Sequence, residues 1–527
     1  MSRFLNARMN MSHCRFPFLA VVVLLLIVSS ANAGDNPVAT EPPVSYYKQV
    51  RPIFQASCFG CHQPAQAKGG LVMTSHAGLL KGGESGDPAI VPNRPEKGTL
   101  LDQITPAGKE APAMPAEGAP LSTGQIALVR RWIAEGAKDD SPAADVAVYT
   151  SDHPPHYPAP PVITSVAVSP DGKLLAVAGY HEVLLHNLEK FAPPATTAVT
   201  QGSGSAPQTA AVAQGSEPAP PAKSPEPNST EPVAPRRNLE NAVPTARLIG
   251  LSERIQSLAF SPDGKLLAAV GGSPARMGEV QIWDVATHKL VRSQNVTFDT
   301  LYGAAFSPDG TLLAFGGADN TLRAIEVKTG KQVFYQMTHT DWVMDSVFSV
   351  KGSNLVSVSR DFSMKLNDVP TQRFIDNITS ITPGALKGGL HAVDRHPQRD
   401  ELLIGGSDGV PKIYRMFREK ARKIGDDFNL IRPMSSLPGR IYAVAYSPDG
   451  TLVAAGSSND GAGEVRTFEE ANGKPVAAML GITGGIYTLA FLPDGQRLAS
   501  AGFSGTVYIH EARTGKLLAQ FVPVPVK

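Results

Sequence analysis

The sequence predicts a multidomain chain: a small all-α domain followed by an all-β seven-bladed propeller. Two observations carry this. A Cys-x-x-Cys-His run sits inside a helical stretch near the N-terminus, and a Ser-Pro-Asp-Gly turn recurs along the C-terminal two thirds. With 48 Lys+Arg against 47 Asp+Glu and only 18% charged residues, the chain lacks the concentrated positive charge that phosphate binding needs, so nucleic acid is not an expected partner. The 45 prolines and 49 glycines point to many turns and to low-complexity tracts.

Arg3, Arg8 and Arg15 precede the apolar stretch Phe16–Val28, and small residues follow up to Ala33. That order is read as a signal peptide over 1–33, cleaved after Ala33, which places the mature chain in the periplasm. The alternative is an uncleaved N-terminal membrane anchor, but the apolar core is short of the roughly 20 residues that a span needs. No stable span is expected after cleavage. Cys14 lies ahead of the apolar run, which leaves the mature chain only the thiols of Cys58 and Cys61.

The first domain is expected over 45–138. Its opening helix, Tyr46 to Ala56, gathers Tyr46, Tyr47, Val50, Ile53 and Phe54 on one face and runs into Cys58-Phe59-Gly60-Cys61-His62. This spacing suits covalent attachment of one haem c: two thiols add to the vinyl groups and the adjacent imidazole reaches the iron. A thioredoxin-like pair would want a βαβ context, a zinc site would want two further ligands, and a chance match is the remaining reading. For the other axial position Met114 is preferred. Met73 lies only 11 positions past His62 and has little chain with which to travel round a porphyrin, and His76 is the runner-up. A closing helix capped by Ser122 or Thr123 buries Ile126, Val129 and Ile133 and ends at Gly136, with Trp132 packed against the first helix.

Lys68-Gly69-Gly70-Leu71, Leu79 to Gly86, Ile90-Val91-Pro92, Met114-Pro115 and Arg131 to Ala137 resemble the cytochrome c domains of planctomycete bacteria. The resemblance implies haem on Cys58 and Cys61, with His62 and Met114 as axial iron ligands. The family usually has a second proline after Met-Pro, where this chain has Ala116.

A proline-rich linker, 139–161, is expected to be flexible, with His153 and His156 solvated. Beyond it Ser-Pro-Asp-Gly stands at 169–172, 261–264, 307–310 and 447–450, with Leu-Pro-Asp-Gly at 492–495 and degenerate copies after Phe348 and Val393. Each separates two apolar strands, since Pro-Asp-Gly forms a tight turn. Successive spacings of 46, 42, 47, 51 and 45 match a four-stranded propeller blade. The first spacing, 92, contains a Pro/Ala/Ser-rich tract, 191–245, too poor in large apolar side chains to order itself, and is read as a disordered insertion in blade one. Seven blades over 162–521 follow.

Gln281-Ile282-Trp283-Asp284-Val285 and His339-Thr340-Asp341-Trp342-Val343 resemble the WD-repeat family, which implies a partner-binding platform. Departures are visible. Trp283 has no histidine in the preceding loop, and His339 and Asp361 are accompanied by Asn367 where the family has tryptophan, so the bracing network is expected to be incomplete. His181 and His186 read as one surface and one packed residue, and Arg360-Asp361 and Ser407-Asp408 as turns.

Taken together, the sequence predicts an exported monohaem c-type cytochrome that passes single electrons to protein redox partners, an electron carrier rather than a catalyst, with the WD-type propeller as docking platform. One alternative is a periplasmic oxidoreductase whose propeller holds a substrate or second cofactor fed by the haem, an arrangement resembling nitrite reductases that fuse a cytochrome to a propeller. Another is an interaction scaffold with a structural or sensory haem.

Overall fold

The computed structural model of the chain describes residues 42–64, 66–108, 110–116, 118–141, 149–191, 238–239, 242–380, 387–421 and 427–526. The expected signal peptide, 1–33, and most of the expected insertion, 192–237, lie outside the described residues. Among the described residues no helix is long and apolar enough to cross a membrane.

The N-terminal region is helical. A π-turn, Tyr46–Val50, runs into α1, Arg51–Ser57, and is followed by α2, His76–Lys81, α3, Thr99–Ile104, and α4, Thr123–Ala134. The opening helix expected over 46–56 is thus wound in two ways, with Pro52 in the first turn of α1, where its missing N–H costs nothing. In α4 the Ser122 hydroxyl accepts from the Gln125 backbone N–H while the Gln125 side chain accepts from the Ser122 N–H, a reciprocal cap. Trp132, 1% exposed, stacks on Tyr46 with ring centres 5.0 Å apart and meets Phe54 edge-on at 6.3 Å, so the closing helix seals the opening one as expected.

The rest is β-structure. The described residues form seven sheets: one of two strands in the helical region, one of seven, four of four and one of five. The seven-stranded sheet is two four-stranded repeats sharing the long strand Ala246–Phe260, whose first part pairs with Tyr180–Asn187 and whose second pairs with Leu266–Ser273. Counted this way, seven four-stranded antiparallel repeats follow one another from Val166 to Phe521, each opening with a hairpin closed by one of the predicted turns. Within the turns the serine hydroxyl donates to the aspartate two positions on, at 2.6 Å in Ser169–Asp171 and 2.7 Å in Ser261–Asp263, and glycine takes a positive φ, +72° at Gly172. Apolar layers lie between successive repeats; Phe315, for example, packs with Val280 and Ile282 of the repeat before it. Val166, Leu175 and Val177 of the first repeat pack with Val507, Ile509 and Phe521 of the last.

Three expectations are corrected. The segment before the first repeat is not a free linker, because Tyr157 is buried and its hydroxyl donates to buried Glu182 at 2.7 Å; Glu182 also pairs with Arg247 at 2.6 Å. Exposed His153 and His156 stay in solvent beside it. The tract read as a disordered insertion is ordered at its end: Asn238–Leu239 adds a parallel strand to Leu517–Phe521, and the Ala242 N–H donates to the Val522 carbonyl at 3.0 Å. Packing also continues past Phe521, since Val524 is fully buried and Val526 bridges to Tyr157.

Candidate functional site

The end of α1 builds the site. The Cys58 N–H donates to the Phe54 carbonyl at 2.7 Å, and the N–H groups of Cys61 and His62 both donate to the Cys58 carbonyl, at 3.1 and 3.0 Å. One tight turn therefore carries both thiols and the imidazole. Its exit is clamped: the Cys61 carbonyl accepts from Lys68 at 3.0 Å, the His62 carbonyl from Met73 at 2.8 Å, and His62 pairs with Ala67.

Cys58 and Cys61 are both free thiols. Burial pushes Cys58 up to about 12, with the neighbouring Cys61 adding to the rise, so it is a neutral thiol at physiological pH. Burial lowers the His62 imidazole, and its buried Nδ1 has no hydrogen-bond partner. Met114 is half-buried against the same apolar core, its N–H donating to the Gln103 carbonyl at 2.8 Å. The runner-up ligand is occupied elsewhere: His76 Nε2 lies 2.6 Å from the Ala137 carbonyl and its ring meets Trp132 edge-on. Met73, 2% exposed, is a core residue.

Two features escaped the sequence. Gly60, inside the Cys-x-x-Cys run, touches the repeats: a Cβ there would lie 2.3 Å from the Ser293 carbonyl oxygen, so only glycine allows this approach. Behind Ser293 lies a buried network. Glu279 accepts from the Ser252 hydroxyl at 2.7 Å, from the Gln281 carboxamide at 2.7 Å and from the Ser293 hydroxyl, while Trp283 Nε1 donates to Gln281 at 3.0 Å. The repeat carrying the full Trp-Asp signature is thus braced without a histidine. In repeat four His339 Nδ1 meets Asp361 at 2.9 Å and Nε2 meets Ser357 at 2.8 Å, three of the four family members, with Asn367 buried at the fourth position. Of the other histidines and turns, His186 is buried, His181 half-buried, and Asp361 and Asp408 cap turns through the N–H groups of Ser363 and Val410.

Comparison with known families agrees with this geometry. The family described as planctomycete cytochrome C matches residues 58–118, and the WD domain, G-beta repeat, matches 289–325, 431–462 and 473–511. The chain joins a planctomycete cytochrome c domain to WD repeats. Among curated proteins it is similar to WD repeat-containing protein 1 of Gallus gallus, 26% identical over 170 residues, which are 31% of this chain and 26% of that protein. It is also similar to an uncharacterized WD repeat-containing protein of Synechocystis, 30% identical over 118 residues, 22% of this chain and 32% of that protein. The matches thus span about a quarter to a third of these relatives' own length. The cytochrome family implies haem c, and the WD repeats imply protein–protein interaction.

Proposed function

We propose that the chain is an exported electron carrier. Cys58 and Cys61 hold one haem c covalently, His62 and Met114 supply its axial ligands, and the WD repeats form one seven-bladed propeller that docks protein redox partners. The observation that carries this reading is the turn itself: two unpaired thiols and an imidazole with an unsatisfied buried nitrogen on five consecutive residues. An orphaned polar atom inside a core is costly, and a bound group would relieve the cost. The thioether of Met114 is lodged in the same core, so the donor set fits haem c. When bound, haem supplies one-electron chemistry. The chain's own part is to keep His62 neutral and its lone pair available, and to hold Met114 on a loop tied to α3 through the Gln103 carbonyl.

Support for a closed propeller comes from the junction of repeats seven and one. The Val166 N–H donates to the Thr488 hydroxyl at 2.9 Å, and the Ile163 N–H to the Gly502 carbonyl at 3.0 Å. The hairpin turns stack in the same sense across this junction as elsewhere: a Cβ at Gly172 would lie 3.4 Å from Pro493, just as one at Gly264 would lie 3.5 Å from Pro170. On this reading the cytochrome domain spans 45–138 and the propeller 162–521, with the chain after it packed on as far as Val526, and 1–33 directs export.

The test is a spectrum of the reduced full-length protein purified from cells competent for haem attachment. A covalent haem signal that survives acid-acetone extraction is expected, lost in Cys58→Ser and shifted, with a lowered potential, in Met114→Ala. A colourless wild-type protein overturns the reading.

A further inference from the structure

The two ends of the repeats differ. Phe298, Trp342, Phe362 and Phe503 are exposed, and all lie in connections at the end opposite the Ser-Pro-Asp-Gly turns. In the connections at the turn end, among the described residues, Phe417 is the one aromatic comparably exposed.

Phe362 also breaks a local rule. In repeats three, four, five and seven the second and third strands are joined by the same turn, in which the N–H of Thr321, Ser363, Val410 or Thr506 donates to the side chain two positions back. The residue between takes a positive φ: +66° at Asn320, +68° at Phe362, +70° at Gly409 and +70° at Gly505. Asn and Gly tolerate this conformation, whereas a bulky side chain there crowds its own backbone. At 52% exposed, the Phe362 ring recovers little of that cost by burial. Strain kept at an exposed aromatic, with no packing return, marks a contact surface.

The neighbours of Phe362 are the residue types that anchor protein interfaces. Trp342 stacks on Tyr302 with ring centres 5.8 Å apart and planes 19° apart, and the Arg360 guanidinium lies 4.6 Å over the Trp342 ring. Burial and Asp299 push the Tyr302 hydroxyl up to about 12 while Arg360 and Arg254 oppose the rise, so both guanidiniums act on this cluster. The Arg360 ion-pair partner, Asp341, stands 3.6 Å away, beyond hydrogen-bond reach, and the exposed Arg254 side chain has no partner among the described residues. The nearby acids are already engaged: Asp299 accepts from the N–H groups of Thr300 and Ala275, Asp341 from that of Trp342, and Asp361 from Ser363 and Thr340 while it pairs with His339. The unspent groups are thus arginine donors, which favour a carboxylate through charge-assisted hydrogen bonds.

We propose that repeat four docks an acidic segment of a protein partner, a large apolar side chain of the partner packing on Phe362 and Trp342 and an adjacent carboxylate meeting Arg360. The proposal deepens the docking reading above and rests on it for treating the repeats as a protein-binding platform.

The experiment is fluorescence polarisation of full-length protein with an array of labelled peptides in which Asp or Glu flanks Leu, Phe or Trp, alongside counterparts that replace the acid by its amide or the apolar residue by Ala. Saturable binding of acidic apolar peptides is expected, weakened at least about tenfold, about 1.4 kcal/mol, in both counterparts and in the Arg360→Gln and Phe362→Asn variants. Phe362→Asn installs the residue of repeat three, so its urea midpoint is expected to rise while binding falls. Absence of binding, equal binding of the amide counterparts, unchanged affinity in both variants, or a lowered midpoint in Phe362→Asn overturns the proposal. A Cys58→Ser/Cys61→Ser variant is expected to bind the same peptides. A colourless wild type that binds them fails the haem reading and leaves this surface standing, whereas a haem-bearing protein that binds none fails this surface alone.

Discussion

In repeat two the strand Met277–Asp284 carries Glu279, Gln281 and Trp283 on one face, and a buried carboxylate is satisfied by hydroxyl and amide donors, with no cation among its hydrogen-bond partners. In repeat four the corresponding brace is His339 between Asp361 and Ser357. Glu279 ties its strand to residues of two others and His339 ties a loop to a strand and a turn, but burial acts on them in opposite directions. It raises the pKa of the Glu279 carboxyl, although the Ser293 and Ser252 hydroxyls oppose the rise. It lowers the pKa of the His339 imidazole. Asp361 is pushed up by burial yet ends below the usual carboxylate range, because His339 and Ser363 bond to it. A WD repeat therefore needs a filled network at this position rather than a particular ion pair.

The most damaging way to break the comparison is Glu279→Ala, which strands Ser252, Gln281 and Ser293 together. We expect a loss on the order of 3 kcal/mol, read as a lowered urea midpoint, together with loosening of the Gly60 contact that Ser293 supports. Glu279→Gln, which keeps the acceptor and removes the charge, is expected to be far milder. Equal losses in the two would mean that packing volume, not hydrogen bonding, sets the cost.

Opposite pH responses sharpen the comparison further. A carboxyl whose folded pKa is raised binds its proton more tightly folded than unfolded, so repeat two loses stability as pH climbs above the ordinary glutamate value near 4.3. A histidine whose folded pKa is lowered does the reverse. His339 is neutral where the unfolded imidazole charges, so repeat four loses stability as pH falls below about 6.5, and Asp361 adds to that loss as pH falls below about 3.9. Hydrogen exchange of peptides 277–297 and 354–368, corrected for intrinsic rates, is expected to show repeat four opening on going from about pH 7 to 5. Glu279→Gln should flatten the response of the first peptide and His339→Gln that of the second, each by about 1 kcal/mol or less. Parallel slopes in the two repeats would contradict the opposed shifts.

How much of this was legible follows from the separation of the partners. The hairpin turns were, because serine, aspartate and glycine act within four residues. So was the Cys58 to His62 run, whose chemistry is written in consecutive positions, and the His339–Asp361 pair, which the WD resemblance pointed to. The Glu279 network was not: Ser252 lies 27 positions upstream on another strand, and nothing local marks Glu279 as buried. Nor was the docking of Gly60 on Ser293, because a glycine between two cysteines carries no sign of what approaches it. The segment taken for a free linker illustrates the same limit. Its prolines suggested freedom, while Tyr157 found Glu182 and Arg247 across the first repeat.

The smallest expected effect concerns the place where repeat four departs from repeat two. Asn367 stands fully buried where the family has tryptophan; its Nδ2 donates weakly to the Leu355 carbonyl at 3.3 Å, and its Oδ1 has no partner. A buried acceptor left unmade costs more than the weak bond on the other side returns, and leucine keeps the same branched outline without the polar atoms, its larger methyl ends offsetting part of the gain. Asn367→Leu should therefore stabilise the protein by about 0.5–1 kcal/mol, measured as a raised urea midpoint with unchanged slope. A loss instead would show that the carboxamide is satisfied in solution, for instance by an ordered water. The His339 brace would then be a complete four-membered network with water in place of the indole, and repeats two and four would differ in their ions but not in their completeness.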